Sequence, residues 1–200
     1  MIALVALSLG VQIWRSLPHA EAITGSRLVL DLPTTWQTAD AGQIYDAAWA
    51  AEEKQKYPQD AALIDSLVDA LQAGDPTWYA RIDVDGDRVA EGWVLASVKD
   101  KGGTQADLHA TAFASTLFQP VQIRPGTTVV DVTLPTGPAA RLDWSYDLRL
   151  ADGTTEIATV RSYWLIDGTK TVVIQLTFYG DRPAVMSDFD SVVRTLRWAS

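Results

Sequence analysis

Residues 140–179 read ARLDWSYDLRLADGTTEIATVRSYWLIDGTKTVVIQLTFY, and their punctuation decides the fold. Two Asp-Gly pairs, Asp152-Gly153 and Asp167-Gly168, separate three runs in which apolar and polar residues alternate. Asp-Gly between such runs signals a hairpin, because both residues tolerate the left-handed backbone of a tight turn. The spacing predicts antiparallel strands at Ala140–Leu150, Thr155–Ile166 and Lys170–Tyr179. A fourth strand, Thr127–Leu134, joins them through Pro135-Thr136-Gly137. With odd-length turns, the even positions share one face: Leu142, Trp144, Tyr146 and Leu148; Ala158, Val160, Ser162 and Trp164; Val172, Ile174, Leu176 and Phe178. This is the predicted core face, under a C-terminal helix. The odd positions carry charges, hydroxyls and tyrosines.

The C-terminal helix has two candidate starts, the capping-box-like Ser187-Asp188-Phe189-Asp190 and the earlier Pro183. Met186, Phe189, Val193 and Leu196 share a helical face, and Arg194 and Arg197 fall late, as the helix dipole favours. Upstream, Thr104 caps a predicted helix over Gln105–Leu117 with Leu108, Ala112 and Phe113 inward, closed by Pro120. Asp85-Gly86-Asp87 links a hairpin of Thr77–Val84 and Val89–Val98. Before it stand helices over Gln43–Gln55 and from Asp60 to Gly74, the latter with Leu63, Leu67 and Leu71 inward. Arg27–Leu32 is a strand ended by Pro33. The sum is an α+β chain with an antiparallel-rich sheet.

Composition limits the function. The 200 residues carry 25 acidic and 16 basic side chains, a net charge of −9, with no cysteine. That excludes disulfides, thiol catalysis and cysteine metal sites, and it opposes nucleic acid, whose phosphates such a surface repels. Eleven of the acids lie between Asp40 and Asp87. Ile2–Trp14 is an apolar run too short to span a bilayer as written, and Ala20-Glu21-Ala22 is a small-x-small pattern. Residues 1–22 read as a hydrophobic leader, either a signal peptide or a truncated membrane anchor, before a single domain over 23–200. No basic residue precedes the run and Arg15 follows it, so a first strand or buried helix of a cytosolic domain stays open.

Leu30-Asp31-Leu32-Pro33-Thr34-Thr35-Trp36 resembles the L-P-x-x-W opening of PsbP-like (Mog-type) domains. Arg161–Ile166, Asp167-Gly168, Val172–Phe178 and Phe189–Trp198 resemble the close of that fold, a meander followed by a helix ending V-R-T-L-R-W. Among these domains the chain is most similar to exported actinobacterial proteins related to the LpqN/LpqT lipoproteins. The resemblance implies an αβα sandwich and accessory or adaptor roles. The lipobox cysteine of those lipoproteins is absent.

Candidate sites are few. The odd sheet face offers Asp143, Asp147, Arg149, Arg161, Tyr163, Gln175 and Tyr179. One account is a solvated face with cross-strand ion pairs; the other is a ligand or partner surface anchored by Arg161 and the tyrosines. Asp143 and Asp147 are also the pair a carboxylate-dependent hydrolase would use. Asp83-Val84-Asp85-Gly86-Asp87 is half of a calcium loop, with Gly and the closing acid misplaced for an EF-hand; a polar turn is the plainer reading. His109 has no Gly-x-Ser-x-Gly partner, and no Gly-rich phosphate loop is present. The sequence calls for no cofactor and no metal. It points to a non-enzymatic accessory or binding domain, exported or membrane-tethered, acting on a protein or cell-envelope component.

Overall fold

The computed structural model describes residues 18–40, 47–56, 76–83, 92–100, 102–117, 121–149 and 155–200. The leader through residue 17, the helix expected from Asp60, the tip of the Asp85-Gly86-Asp87 hairpin and Pro120 lie outside the described residues.

The strands are β1 (His19–Ala22), β2 (Leu28–Leu32), β3 (Gln37–Asp40), β4 (Pro76–Ile82), β5 (Gly92–Lys99), β6 (Thr128–Leu134), β7 (Gly137–Arg149), β8 (Thr155–Asp167), β9 (Lys170–Tyr179) and β10 (Arg197–Trp198). The helices are α1 (Ala47–Lys56), α2 (Gln105–Thr116) and α3 (Pro183–Val193). Seven strands form one sheet in the order β3-β4-β5-β9-β8-β7-β6, and β1-β2-β10 form a second. Every pairing within these two sheets is antiparallel. The fold is α+β, as expected.

One turn changes the faces. Asp167 pairs with Lys170, so the β8–β9 turn holds only Gly168 and Thr169, with Gly168 at φ 61°. A two-residue turn couples even positions of β8 to odd positions of β9, whereas the longer β7–β8 connection keeps parity: Trp144 faces Val160, but Val160 faces Thr177. The single even-numbered core face is therefore corrected. Leu142, Trp144, Val160 and Trp164 pack with Leu108 and Ala112 of α2 on one side of the sheet. Val172, Ile174, Leu176 and Phe178 pack on the other side with Tyr163 and Leu165, under Val185, Phe189, Val192 and Val193 of α3. The C-terminal helix thus covers the face opposite to the even positions of β7 and β8. Both faces are buried, and at roughly 1.5–3 kcal/mol per large side chain each cluster is a substantial source of stability.

The helices follow their local chemistry. The Thr104 side chain accepts from the Asp107 backbone N–H while Asp107 accepts from Thr104, a complete capping box. Phe113, expected inward, is 49% exposed; Leu108, Ala112 and Thr116 are the buried residues of α2. Helix α3 begins at Pro183, the earlier of its two starts, with no side-chain cap. It ends at Val193, so Arg197 belongs not to the helix but to β10, whose residues pair with Val29 and Leu28 of β2. Tyr79, Arg81 and Asp83 of the β4 segment are as buried as Trp78, Ala80 and Ile82.

The small sheet rests on α3. Leu28, Leu30 and Leu32 point into the core that holds Phe189. His19–Ala22 pair with Leu32–Val29, so the boundary expected after Ala22 falls at the end of a strand hydrogen-bonded to β2.

Candidate functional site

The register divides the seven sheet residues singled out by sequence. Asp143 pairs with Arg161 across β7 and β8, and Tyr163 shares their face. Gln175 and Tyr179 of β9 face Ser162 and Ala158 and so lie on the opposite side of the sheet. Asp147 shares the Arg161 face at the far end of β7, half exposed and ion-paired to Arg124. The Arg149 side chain lies outside the described residues.

Helix α3 covers the Arg161 face and turns it into a clamp. Arg161 Nε and Nη2 donate to the two Asp143 oxygens at 2.6 and 3.2 Å, and Nη1 donates to Asp190 of α3 at 2.6 Å. Tyr163 Oη donates to the other Asp190 oxygen at 3.0 Å. Arg141 Nε sits 3.1 Å from Asp143. Burial alone would lower the Arg161 pKa, yet Asp143 and Asp190 more than offset it and raise the pKa. Burial, then the Asp190 charge, pushes the Tyr163 phenol up to about 12. Arg161 is 14% exposed and satisfied on both sides. The polar face that sequence reasoning offered as a binding surface here joins two strands to a helix.

On the other face the two tyrosines meet. Tyr146 and Tyr179 flank Ala158 in one cross-strand row, and the small Ala158 side chain lets their hydroxyls hydrogen-bond over β8. Burial raises both phenol pKa values. Trp93 packs against Tyr179 at 5.5 Å and Trp144 stacks on Tyr146 at 5.4 Å.

An open groove of about 460 Å³ lies on the far side of α3, between that helix and the turn after β2. Asp188, Ser191, Val192 and Thr195 line one wall; their spacing of three, four and seven residues puts them on one stripe of the helix and its C-terminal extension. Asp31, Pro33, Thr34 and Thr35 line the other, and Pro18 stands at one end. The turn is rigid for local reasons. Pro33 fixes its own φ, the Trp36 N–H donates to Pro33 O, and the Trp36 side chain is buried in the core. The Asp31 N–H donates to Thr195 Oγ1 at 2.7 Å, tying the walls together. Arg197 Nη2 holds Asp31 from outside at 2.8 Å. Sequence reasoning quoted the Pro33–Trp36 turn only as a family signature. The missed signal was the polar stripe Asp188, Ser191 and Thr195, on the flank of the helix and its C-terminal extension away from Asp190.

No protein-family model and no curated protein matches the sequence. Solved structures are similar to the chain. A Bacteroides thetaiotaomicron protein aligns over 93% of this chain at 10% identity and a TM-score of 0.50; this chain spans about half of it, 49%. The Saccharomyces cerevisiae Ran-binding protein Mog1p aligns over 92% of this chain and 96% of its own, at 9% identity and a TM-score of 0.52. PsbP from Synechocystis aligns over 92% and 93% of the two chains at 14% identity, with a TM-score of 0.43. LpqN of Mycobacterium tuberculosis, involved in cell envelope biogenesis, aligns over 62% of this chain and 72% of its own at 14% identity, with a TM-score of 0.39. An antiparallel sheet with α2 on one face and α3 with a small sheet on the other, matched across nearly all of Mog1p, makes this chain an αβα sandwich of the PsbP/Mog1-like fold.

Proposed function

We propose that this chain is a non-enzymatic accessory domain that docks a protein partner in the groove between α3 and the Pro33–Trp36 turn. The observation that carries the reading is the groove itself: two rigid walls, apolar residues at Pro18, Pro33 and Val192, and a polar rim of Asp31, Asp188, Thr34, Thr35, Ser191 and Thr195. An apolar floor with a polar rim is the common anatomy of a protein contact. The carboxylates first suspected of chemistry are otherwise engaged, Asp143 by Arg161 and Arg141, and Asp147 by Arg124. A structural neighbour of the same fold, Mog1p, binds the protein Ran, which lends the fold-level analogy and nothing finer.

We place the domain outside the cytoplasm or on a membrane, with Ile2–Trp14 as its leader or tether and an envelope component as the partner's setting. The apolar run supports this. Among the described residues no helix is long and apolar enough to cross a membrane. Cell fractionation with mass spectrometry of the chain's N-terminus tests the location, and an intact Met1 chain in the cytosol overturns it.

Docking is tested by a photo-crosslinking amino acid placed in turn at Thr34, Ser191 and Phe113 in cells. Phe113 is exposed on α2, across the sheet from the groove. The same discrete adduct from Thr34 and Ser191, absent from Phe113, is expected. No adduct, or equal adducts from all three positions, refutes docking at this groove.

A further inference from the structure

Resting on that docking reading, we infer that the groove accepts a basic side chain: its occupant is a protein segment that presents a lysine or arginine to Asp188. The argument is one of charge left uncompensated. The protein supplies an arginine to four other carboxylates around this core. Asp143 and Asp190 share Arg161, Asp167 has Arg27, and Asp31 has Arg197. Asp188 is half-buried on the groove wall and, among the described residues, its carboxylate makes no hydrogen bond or ion pair. A partly desolvated carboxylate with no partner gains most from a cation brought by something else.

The rest of the groove suits the same guest. An ammonium or guanidinium has more N–H donors than one carboxylate can accept. Thr34 and Thr35 stand opposite Asp188 with hydroxyls that make no hydrogen bond among the described residues. Ser191 Oγ donates to Ser187 O and keeps its lone pairs for an incoming donor. Pro18, Pro33 and Val192 offer apolar surface to the methylene stem that Lys and Arg side chains carry. The volume, about 460 Å³, leaves room for flanking backbone as well. The net charge of −9 draws a basic segment towards the domain from a distance.

The test is an amide-resolved NMR titration of the full chain with Nα-acetyl-lysine methylamide at low salt, using the norleucine analogue as the uncharged control. Saturable shifts at Thr34, Thr35, Asp188 and Ser191 are expected with the lysine compound alone. They should weaken at least tenfold in Asp188→Asn, a nearly isosteric change whose fold the same spectra verify, and should fade as salt screens the pair. Shifts that are absent, equal for norleucine, or unchanged in Asp188→Asn overturn the inference. The two readings fail separately. A groove that cross-links a partner yet ignores the lysine amide overturns this inference and leaves the docking reading. A groove that takes the lysine amide but cross-links nothing overturns the docking reading.

Discussion

Replacing Arg161 with methionine keeps the volume of the side chain and removes the charge that joins β7, β8 and α3. Three hydrogen bonds to carboxylates go with it, two to Asp143 and one to Asp190. Asp143 keeps Arg141 at 3.1 Å and Asp190 keeps the Tyr163 hydroxyl at 3.0 Å. The magnitude lies between two limits. A fully buried pair broken on one side costs about 3–5 kcal/mol, and an exposed pair about 0–1 kcal/mol. Arg161 is 14% exposed and its acids 23% and 20%, closer to the buried limit but with water at one edge. A loss of about 3 kcal/mol is expected, read as a lower urea midpoint with an unchanged slope.

The informative quantity is the coupling. Asp190→Leu alone strands half of the Arg161 guanidinium and the Tyr163 hydroxyl, at about 2 kcal/mol. The double variant Arg161→Met/Asp190→Leu removes both members of the helix–sheet pair, so no stranded charge remains between them. It should be more stable than the sum of the two losses predicts, by about 1–2 kcal/mol. Strict additivity, or a single-variant loss below about 1 kcal/mol, would show that these are solvated surface pairs and that α3 is held by its apolar face alone.

Three further outcomes follow from local geometry. Leu108→Ala should cost about 2–5 kcal/mol in urea unfolding and Phe113→Ala less than about 1 kcal/mol, because α2 buries the first and exposes the second; equal losses would contradict that orientation. Burial works to raise the Asp167 pKa, but the Arg27 backbone N–H and guanidinium, with Lys170, lower it on balance. A carboxyl whose folded pKa lies below its unfolded value of about 3.9 contributes stability above that pH and loses it as pH falls through the folded value. Wild type should therefore lose more stability than Asp167→Asn as pH falls below about 4, and parallel curves would refute the clamp on Arg27. Tyr163 is shifted the other way, to about 12, so its contribution is intact below the unfolded value of about 10 and disappears as pH rises through 12. Ultraviolet titration of Tyr163→Phe against wild type should remove a late-ionising phenol, not one ionising near pH 10.

The strands of the two hairpins and the C-terminal meander were legible because their signals are local; the four-residue β1, within the expected leader, and β3 were not. Alternation over Thr155–Asp167 and the Asp-Gly turn needed nothing beyond a few neighbouring residues. Strand pairing beyond the turns was not local. β10 pairs with β2 across about 170 residues of chain, and two residues, Arg197 and Trp198, carry no alternation to read. The faces were misassigned for a narrower reason. An Asp-Gly turn of two residues and one of three look alike in sequence, but they move every side chain of the following strand to opposite sides of the sheet. One residue of turn length put Gln175 and Tyr179 beside Arg161 in the sequence reading and across the sheet from it in the structure.

That same error concealed what α3 does. Once the odd positions of β7 and β8 lie beneath this helix, its polar residues stop being an ordinary solvated face. Asp190 turns to one flank, where Arg161 and Tyr163 receive it. Asp188 and Ser191 turn to the other flank, where the Pro33–Trp36 turn forms the opposite wall and no described residue compensates the Asp188 carboxylate. Phe189 lies between them in the core. The clamp fixes the helix against sliding or rotation on the sheet, since an apolar face alone is non-directional while two charge-assisted bonds are not. A groove wall held this firmly can keep a carboxylate aimed at an incoming cation without ordering it at the moment of binding, and that is where a preorganised site gains its affinity. The polar residues of the sheet and those of the groove thus act on one helix from two sides, one setting its position and the other using it.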